Sequence, residues 1–94
     1  MVEYTLNAIR ATAGEEIVIV ARIKDAYGDS IAVCSFHLYD DDVQLYSVKG
    51  IQVDDMWEFH IPASVTAGLR GRHWYSICDE NHQSLGFKEP IYLV

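Results

Sequence analysis

The sequence is poor in positive charge and has no long apolar run. Seven Lys and Arg residues stand against 14 Asp and Glu, so the formal net charge is −7 at pH 7. Nucleic-acid-binding proteins gather Lys and Arg on one face, and this balance argues against such a partner. No apolar run approaches the roughly 18 residues of a membrane-spanning helix, and no signal peptide is recognisable at the start. We therefore expect no membrane partner and synthesis in a cytoplasm.

The motifs that usually carry catalysis are also missing. There is no glycine-rich phosphate loop, no nucleophile elbow and no helical His pair at metal-binding spacing. Cys34 and His37 are three residues apart, and residues at that spacing on a strand face opposite sides, so they do not form half of a metal site. The sequence predicts a protein that is not an enzyme, with no catalytic residues and no cofactor.

Only two cysteines are present, and strand alternation argues against a disulfide between them. Cys34 shares the more apolar face of one predicted strand with Phe36 and Leu38. Cys78 follows Ile77, which is expected to face inward, so Cys78 should face outward. We predict two free thiols, with Cys34 buried and Cys78 more accessible unless a partner covers it.

Composition and strand spacing predict an all-β fold. Half of the residues are hydrophobic, and six Tyr, three Phe and two Trp favour strands. The 94 residues suffice for one domain, predicted over residues 1–94. Predicted strands about 8–12 residues apart, with turns between them, indicate a β-sandwich. A short helical turn is expected near residues 63–68, capped by Ser64 and Thr66. The seven predicted strands cover residues 4–10, 16–24, 32–39, 43–49, 56–61, 72–78 and 85–93.

The fifth predicted strand has the cleanest alternation of apolar and polar side chains. Trp57, Phe59 and Ile61 face the core, while Glu58 and His60 face outward. Similar alternation in the neighbouring strands completes a predicted core. Its members are Trp57, Phe59, Ile61, Tyr75, Ile77, Ile19 and Phe36.

Several predicted strands carry apolar side chains on both faces. Val18 and Val20 lie opposite Ile17 and Ile19, although an isolated sandwich is expected to be polar outside. Two interpretations stay open. In the first, scattered apolar residues on a surface are ordinary, and the assignment of inward and outward faces is wrong by one position in some strand. In the second, another chain covers part of the outer surface. The predicted interface residues are Val18, Val20, Tyr39, Tyr46, Trp74 and Tyr92.

Six acidic residues fall in three predicted loops that should emerge at one end of the sandwich. Together they could hold calcium, a hard cation that takes about six to eight oxygen ligands. Asp is also a common turn residue, and we favour a solvated acidic pole without metal. The six residues are Asp25, Asp29, Asp54, Asp55, Asp79 and Glu80.

Three segments follow a recurring pattern. Residues 24–31 form a turn of the Lys-Asp-x-x-Gly-Asp type, and residues 85–94 have the form of a last strand. The middle segment keeps Ile61, Pro62, Thr66, Leu69, Gly71, Tyr75 and Ile77, with His73 where the pattern has Tyr. In this combination the sequence resembles the small Ig-like β-sandwich structural proteins of tailed bacteriophages.

The resemblance implies a seven-stranded antiparallel Ig-like β-sandwich with a structural role in a virion baseplate, tail or head. Its partners would be other virion structural proteins or further copies of the chain, and it would be made in the cytoplasm of a bacterial host. Two alternatives stay open. In a carbohydrate-binding module, exposed Trp74, Tyr39 and Tyr46 would stack on sugar rings. In a small host-directed inhibitor, the acidity would mimic nucleic acid.

Overall fold

In a computed structural model, the chain forms two β-sheets with a shared core. The structure describes residues 8–23, 34–54, 56–79, 81, 83–84 and 88–94. Within these ranges the strands are β1 (Ile9–Ala11), β2 (Ile17–Ala21), β3 (Ser35–Asp40), β4 (Val43–Lys49), β5 (Ile51–Val53), β6 (Met56–Ile61), β7 (Gly71–Cys78) and β8 (Glu89–Leu93), with helix α1 at Ala63–Thr66. The five-stranded sheet has the order β1-β8-β7-β3-β4, and the three-stranded sheet has the order β2-β6-β5.

The described residues contain eight strands rather than the seven predicted. The additional strand is β5, which lies in a segment predicted to be a loop and pairs with β6 through Ile51↔Glu58 and Val53↔Met56. A three-residue strand is too short to show a periodic pattern, so only its pairing with β6 reveals it.

The direction of one strand pair also differs from the prediction. β1 and β8 pair in parallel, with Ile9 opposite Ile91, whereas the other strand pairs are antiparallel. Parallel neighbours need a long connection, and these two strands have nearly the whole described chain between them.

Parts of the first, second, third and seventh predicted strands (residues 4–7, 24, 32–33 and 85–87) lie outside the described residues, as does the turn at residues 25–29.

The predicted core is confirmed. All seven predicted members are buried, and none is more than 6 % exposed. Phe36 of β3 links the two sheets, because its ring centroid lies 5.4 Å from that of Tyr75 and 6.2 Å from that of Phe59. Burial of large apolar side chains is the main stabilising contribution in such a domain. The outer faces of the two sheets are therefore held on a well-packed scaffold.

Gly50 lies where the chain leaves one sheet for the other, between β4 and β5. Its N–H donates a hydrogen bond to the Cys34 carbonyl oxygen at 2.8 Å. A Cβ atom on Gly50 would lie only 2.7 Å from ring atoms of both Phe59 and Trp57. The crossing needs glycine because the backbone runs against the core at this point.

The predicted helical turn is present, but its capping differs. The N-cap residue of α1 is Pro62, and no side chain caps the helix. The hydroxyl of buried Thr66 instead accepts a hydrogen bond from the Gly14 N–H at 3.1 Å, which fastens the turn between β1 and β2. In the described part of the chain no helix is long and apolar enough to cross a membrane.

Candidate functional site

The predicted interface residues divide between two surfaces. Val18 and Val20 lie on β2, in the three-stranded sheet. Tyr39, Trp74 and Tyr92 lie on β3, β7 and β8, in the five-stranded sheet. The sheets pack through their inner faces, so their outer faces point in opposite directions. The sequence pattern suggested that Val18, Val20 and Trp74 form one outward surface. The structure instead places the two valines and Trp74 on different surfaces.

The outer face of the three-stranded sheet, here called the small-sheet face, is rich in exposed aliphatic side chains. Val18 and Val20 are 46 % and 49 % exposed, and Ile51 and Val53 of β5 are 56 % and 45 % exposed. Val20 and Ile51 both pair with Glu58 of β6, from opposite sides. The aliphatic side chains thus flank β6 on both edges. Ile51 and Val53 were missed because their segment was predicted to be a loop.

A polar strip crosses the centre of the small-sheet face. His60 Nε2 lies 3.2 Å from a Glu58 carboxylate oxygen, and His60 Nδ1 lies 3.8 Å from an oxygen of Glu16. All three side chains are partly or largely exposed. Any partner that covers the aliphatic residues must therefore also accommodate these acidic groups.

Tyr46 does not face outward as predicted. It pairs with the core residue Leu38 and packs against the core cluster. A β-bulge between Leu38 and Tyr39 leaves Leu45 as an extra residue in β4. An extra residue reverses the alternation, so counting positions from the preceding turn assigns Tyr46 to the wrong face.

The outer face of the five-stranded sheet, here called the large-sheet face, carries an aromatic row. Trp74 pairs with Tyr39 on one side and with Pro90 on the other. The guanidinium carbon of Arg72 lies 5.2 Å from the centroid of the Trp74 ring, and Lys88 Nζ lies 4.2 Å from that of Tyr39. These cation–π contacts hold both rings in place.

A shallow cavity of about 490 Å³ lies on the large-sheet face. Among the described residues, its walls are Asp41, Asp42, Trp74 and Lys88. Lys88 Nζ donates to the Asp41 carbonyl oxygen at 3.3 Å and to Asp42 Oδ1 at 3.4 Å. Neither the turn at residues 40–42 nor Lys88 was singled out from the sequence as part of a site.

A hydrogen-bonded Ser–His–Gln chain also lies on the large-sheet face. His37 Nδ1 donates to Gln44 Oε1 at 2.9 Å, and the Ser35 hydroxyl is 2.9 Å from His37 Nε2. Ser35 and His37 do not line the cavity beside Trp74. His37 is buried, and buried polar groups require hydrogen-bond partners. We therefore interpret these hydrogen bonds as providing partners for the two ring nitrogens of His37.

Both cysteines are free, as predicted, and both are buried. Cys78 was expected to be clearly more accessible than Cys34, but this is wrong, since Cys78 is only 3 % exposed and Cys34 is 0 % exposed. An isolated β-bridge pairs Cys78 with Ser84. Burial, with smaller contributions from Asp79 and Cys78, raises the pKa of the Cys34 thiol to about 11. Burial also raises the pKa of Cys78, although the hydrogen bond with Ser76 opposes this.

We expect neither thiol to react with an aromatic disulfide reagent in the folded protein at neutral pH. The thiolate is the reactive species, and both the raised pKa values and burial suppress its reaction. Thiol titration should find two reactive groups only after unfolding in guanidinium chloride. A fast-reacting thiol in the native protein would contradict this burial, and fewer than two after unfolding would indicate oxidation.

Two of the six predicted acidic-pole residues, Asp54 and Asp79, lie among the described residues. Asp25, Asp29, Asp55 and Glu80 lie outside them. Asp79 Oδ1 accepts hydrogen bonds from the N–H groups of Asn81 and Gln83, at 2.9 and 3.0 Å, so this carboxylate closes a local loop. In the described ranges no group of three or more His, Cys, Asp or Glu side chains is placed to hold a metal ion. Calcium binding therefore stays an open prediction.

Comparison with solved structures defines the fold class. The chain is similar to a structure reported among those of Clostridium thermocellum CbhA fibronectin(III)-like modules, with a TM-score of 0.51 and 18% sequence identity. The match covers 99% of this chain and 93% of that chain. The Ig-like part of the prediction is confirmed: the fold is a fibronectin type III-like β-sandwich. No protein-family model and no curated protein matches the sequence, and nothing in the comparisons indicates a bacteriophage origin.

Proposed function

We propose that this protein is a non-catalytic assembly module that acts by protein–protein association through its small-sheet face. The supporting observation is the set of four exposed aliphatic side chains on that face, Val18, Val20, Ile51 and Val53. An isolated sandwich normally presents polar side chains there, whereas here two exposed aliphatic pairs flank the polar strip of Glu58 and His60, and exposed apolar surface of this kind marks an interaction site. Covering this surface removes apolar area from water, a gain of about 25 cal/mol per Å² from which the ordering and desolvation costs of association are subtracted.

Charge favours a different chain over a second copy as the partner. Two copies packed through the small-sheet face would bring Glu58 and Glu16 of each near those of the other, and both copies carry a net charge of −7. Like charges across an interface are unfavourable. The expected partner offers apolar side chains together with a basic group placed to meet Glu58.

The finer part of the proposal is that the assembly is the virion of a tailed bacteriophage. Its support is the sequence resemblance of residues 24–31, 61–77 and 85–94, together with the Ig-like fold that this resemblance implies. The partners would then be baseplate, tail or head proteins, and the chain would be made in the cytoplasm of a bacterial host.

Val18 and Val20 offer a direct test of the association. The double substitution Val18→Thr with Val20→Thr keeps the β-branched shape while placing two hydroxyls on the interface. We expect it to weaken binding to the partner roughly tenfold or more, since each half-exposed valine loses favourable burial. Calorimetric titration against purified baseplate, tail and head proteins measures hetero-association, and light scattering measures self-association.

Val94→Thr is the matched control, because Val94 is also half exposed but lies just beyond β8 of the other sheet. It should bind as the parent does. An equal loss in this control would contradict the assignment to the small-sheet face. A parent protein that is strictly monomeric and binds none of these proteins would refute the proposal.

A further inference from the structure

We propose that the cavity on the large-sheet face binds a neutral hydroxylated ring, such as one sugar unit of a glycan, with Trp74 as the stacking surface. This site lies on the opposite side of the sandwich from the small-sheet face, so it is independent of the association proposed above. It would give the module a second ligand of a different chemical class.

Among the described residues that line the cavity, Trp74 is the aromatic one. Tyr39 is covered by Lys88 Nζ at 4.2 Å and its hydroxyl accepts a hydrogen bond from Ser76 at 3.3 Å, while Tyr46 packs toward the core. Trp74 lines the cavity and is only partly buried. Arg72, which contacts the Trp74 ring, is not among the lining residues, so it holds the ring without filling the cavity.

The polar groups around Trp74 favour a neutral ligand over a charged one. Among the described residues, Asp41 and Asp42 bring two negative charges and Lys88 one positive charge to the cavity wall, and Arg72 adds a second positive charge beside the Trp74 ring. A cation would be repelled by Lys88 and Arg72, and an anion by the two aspartates. A purely apolar ligand would strip water from charged groups without replacing their hydrogen bonds. A ring with several hydroxyls avoids these penalties, because each hydroxyl both donates and accepts.

The cavity is also ordered in advance of binding. Lys88 Nζ contacts both Asp41 and Asp42 and lies over the Tyr39 ring, and these contacts together favour one position of its ammonium group. Asp41 adopts a left-handed backbone conformation with φ of 50°, which shapes the turn that carries both acids. Groups held in place before binding lose less entropy when a ligand arrives. The volume, about 490 Å³, falls in the roughly 300–1,000 Å³ range of small-molecule sites.

The test is a titration of the ¹⁵N-labelled protein followed by NMR. The neutral probes are the methyl glycosides of glucose, galactose, mannose and N-acetylglucosamine, and the charged probes are tetramethylammonium and inorganic phosphate. Trp74 and Trp57 are the two tryptophans of the chain, and buried Trp57 serves as the internal reference. We expect at least one neutral glycoside, at tens of millimolar, to shift the Trp74 indole N–H and the amides of Asp41 and Asp42 while leaving Trp57 unchanged.

Three substitutions test whether the NMR shifts arise from glycoside binding in the cavity. Trp74→Ala should weaken glycoside binding by about tenfold or more, with the fold checked by circular dichroism. Should Trp74→Ala fail to fold, Asp42→Ala decides instead, because the Asp42 side chain is fully exposed and its loss should still weaken binding several-fold. Tyr92→Ala, on the same face but outside the cavity lining, should bind as the parent does.

Several outcomes would overturn the proposal. They are the absence of any shift with the four glycosides, shifts with a charged probe alone, and unchanged glycoside affinity in folded Trp74→Ala or in Asp42→Ala. The double variant Val18→Thr with Val20→Thr should retain glycoside binding. A failure of the glycoside proposal and a failure of the proposed association are therefore separate results.

Discussion

Replacing Phe59 with Ala should destabilise the domain by about 3–5 kcal/mol. Phe59 is fully buried in β6, and its ring lies 6.2 Å from that of Phe36 in the opposite sheet. Truncation removes a large apolar side chain and leaves a cavity between two sheets whose backbones are held by their own hydrogen bonds. A domain of this kind has a free energy of unfolding of only about 5–15 kcal/mol, so the loss is a large fraction of it. Denaturation by urea, followed by circular dichroism, measures the change.

Val20→Ala is the control for Phe59→Ala. Val20 lies on β2 of the same sheet but on its outer face, where the residue is 49 % exposed. Its truncation should change the free energy of unfolding by well under half as much, since surface substitutions usually have small effects. A Phe59→Ala protein that melts within a degree or two of the parent would mean that the inward face of β6 is assigned wrongly.

The burial of β6 was predictable because one face of the strand is covered and the other is not. That condition forces the two-residue alternation of Trp57, Phe59 and Ile61 with Glu58 and His60, which the sequence displays directly. The same reasoning identifies Val18 and Val20 as outward-facing. Alternation gives the face of a strand but not the sheet to which the strand belongs. For this reason Trp74 was grouped with Val18 and Val20, although the two sheets separate them.

The cavity on the large-sheet face could not be predicted in the same way. Asp42 and Lys88 are bonded to each other although 46 positions separate them in the chain. Their proximity depends on the β3–β7 and β7–β8 pairings, which no local pattern encodes. Tyr46 was misplaced for a related reason, because a β-bulge leaves no clear mark in residue type. The outward orientation of Trp74 was predicted correctly. Its neighbours Asp42 and Lys88 could be identified only once the order of the strands in the sheet was known.

Gly50→Ala should be destabilising by about 1–3 kcal/mol, the usual cost of forcing an extra carbon into a packed core. The new Cβ would lie 2.7 Å from ring atoms of Phe59 and Trp57 and 3.2 Å from the Cys34 carbonyl oxygen. Both rings are buried, so neither can swing into solvent to relieve the contact. The backbone must move instead, and the 2.8 Å hydrogen bond from the Gly50 N–H to Cys34 is then strained. Urea denaturation of the variant measures this loss.

The Gly50→Ala substitution should also affect association, because Gly50 positions β5. Ile51 and Val53 belong to the small-sheet face, and displacing the crossing should disturb that face as well as the core. Gly50→Ala is therefore expected to weaken association together with stability, unlike Val18→Thr with Val20→Thr, which should weaken association alone. Gly68→Ala is the matched control, because a Cβ on Gly68 meets no atom within 4 Å and should leave stability nearly unchanged. Equal stability of the Gly50→Ala and Gly68→Ala proteins would show that the chain does not cross between sheets against the core at residue 50.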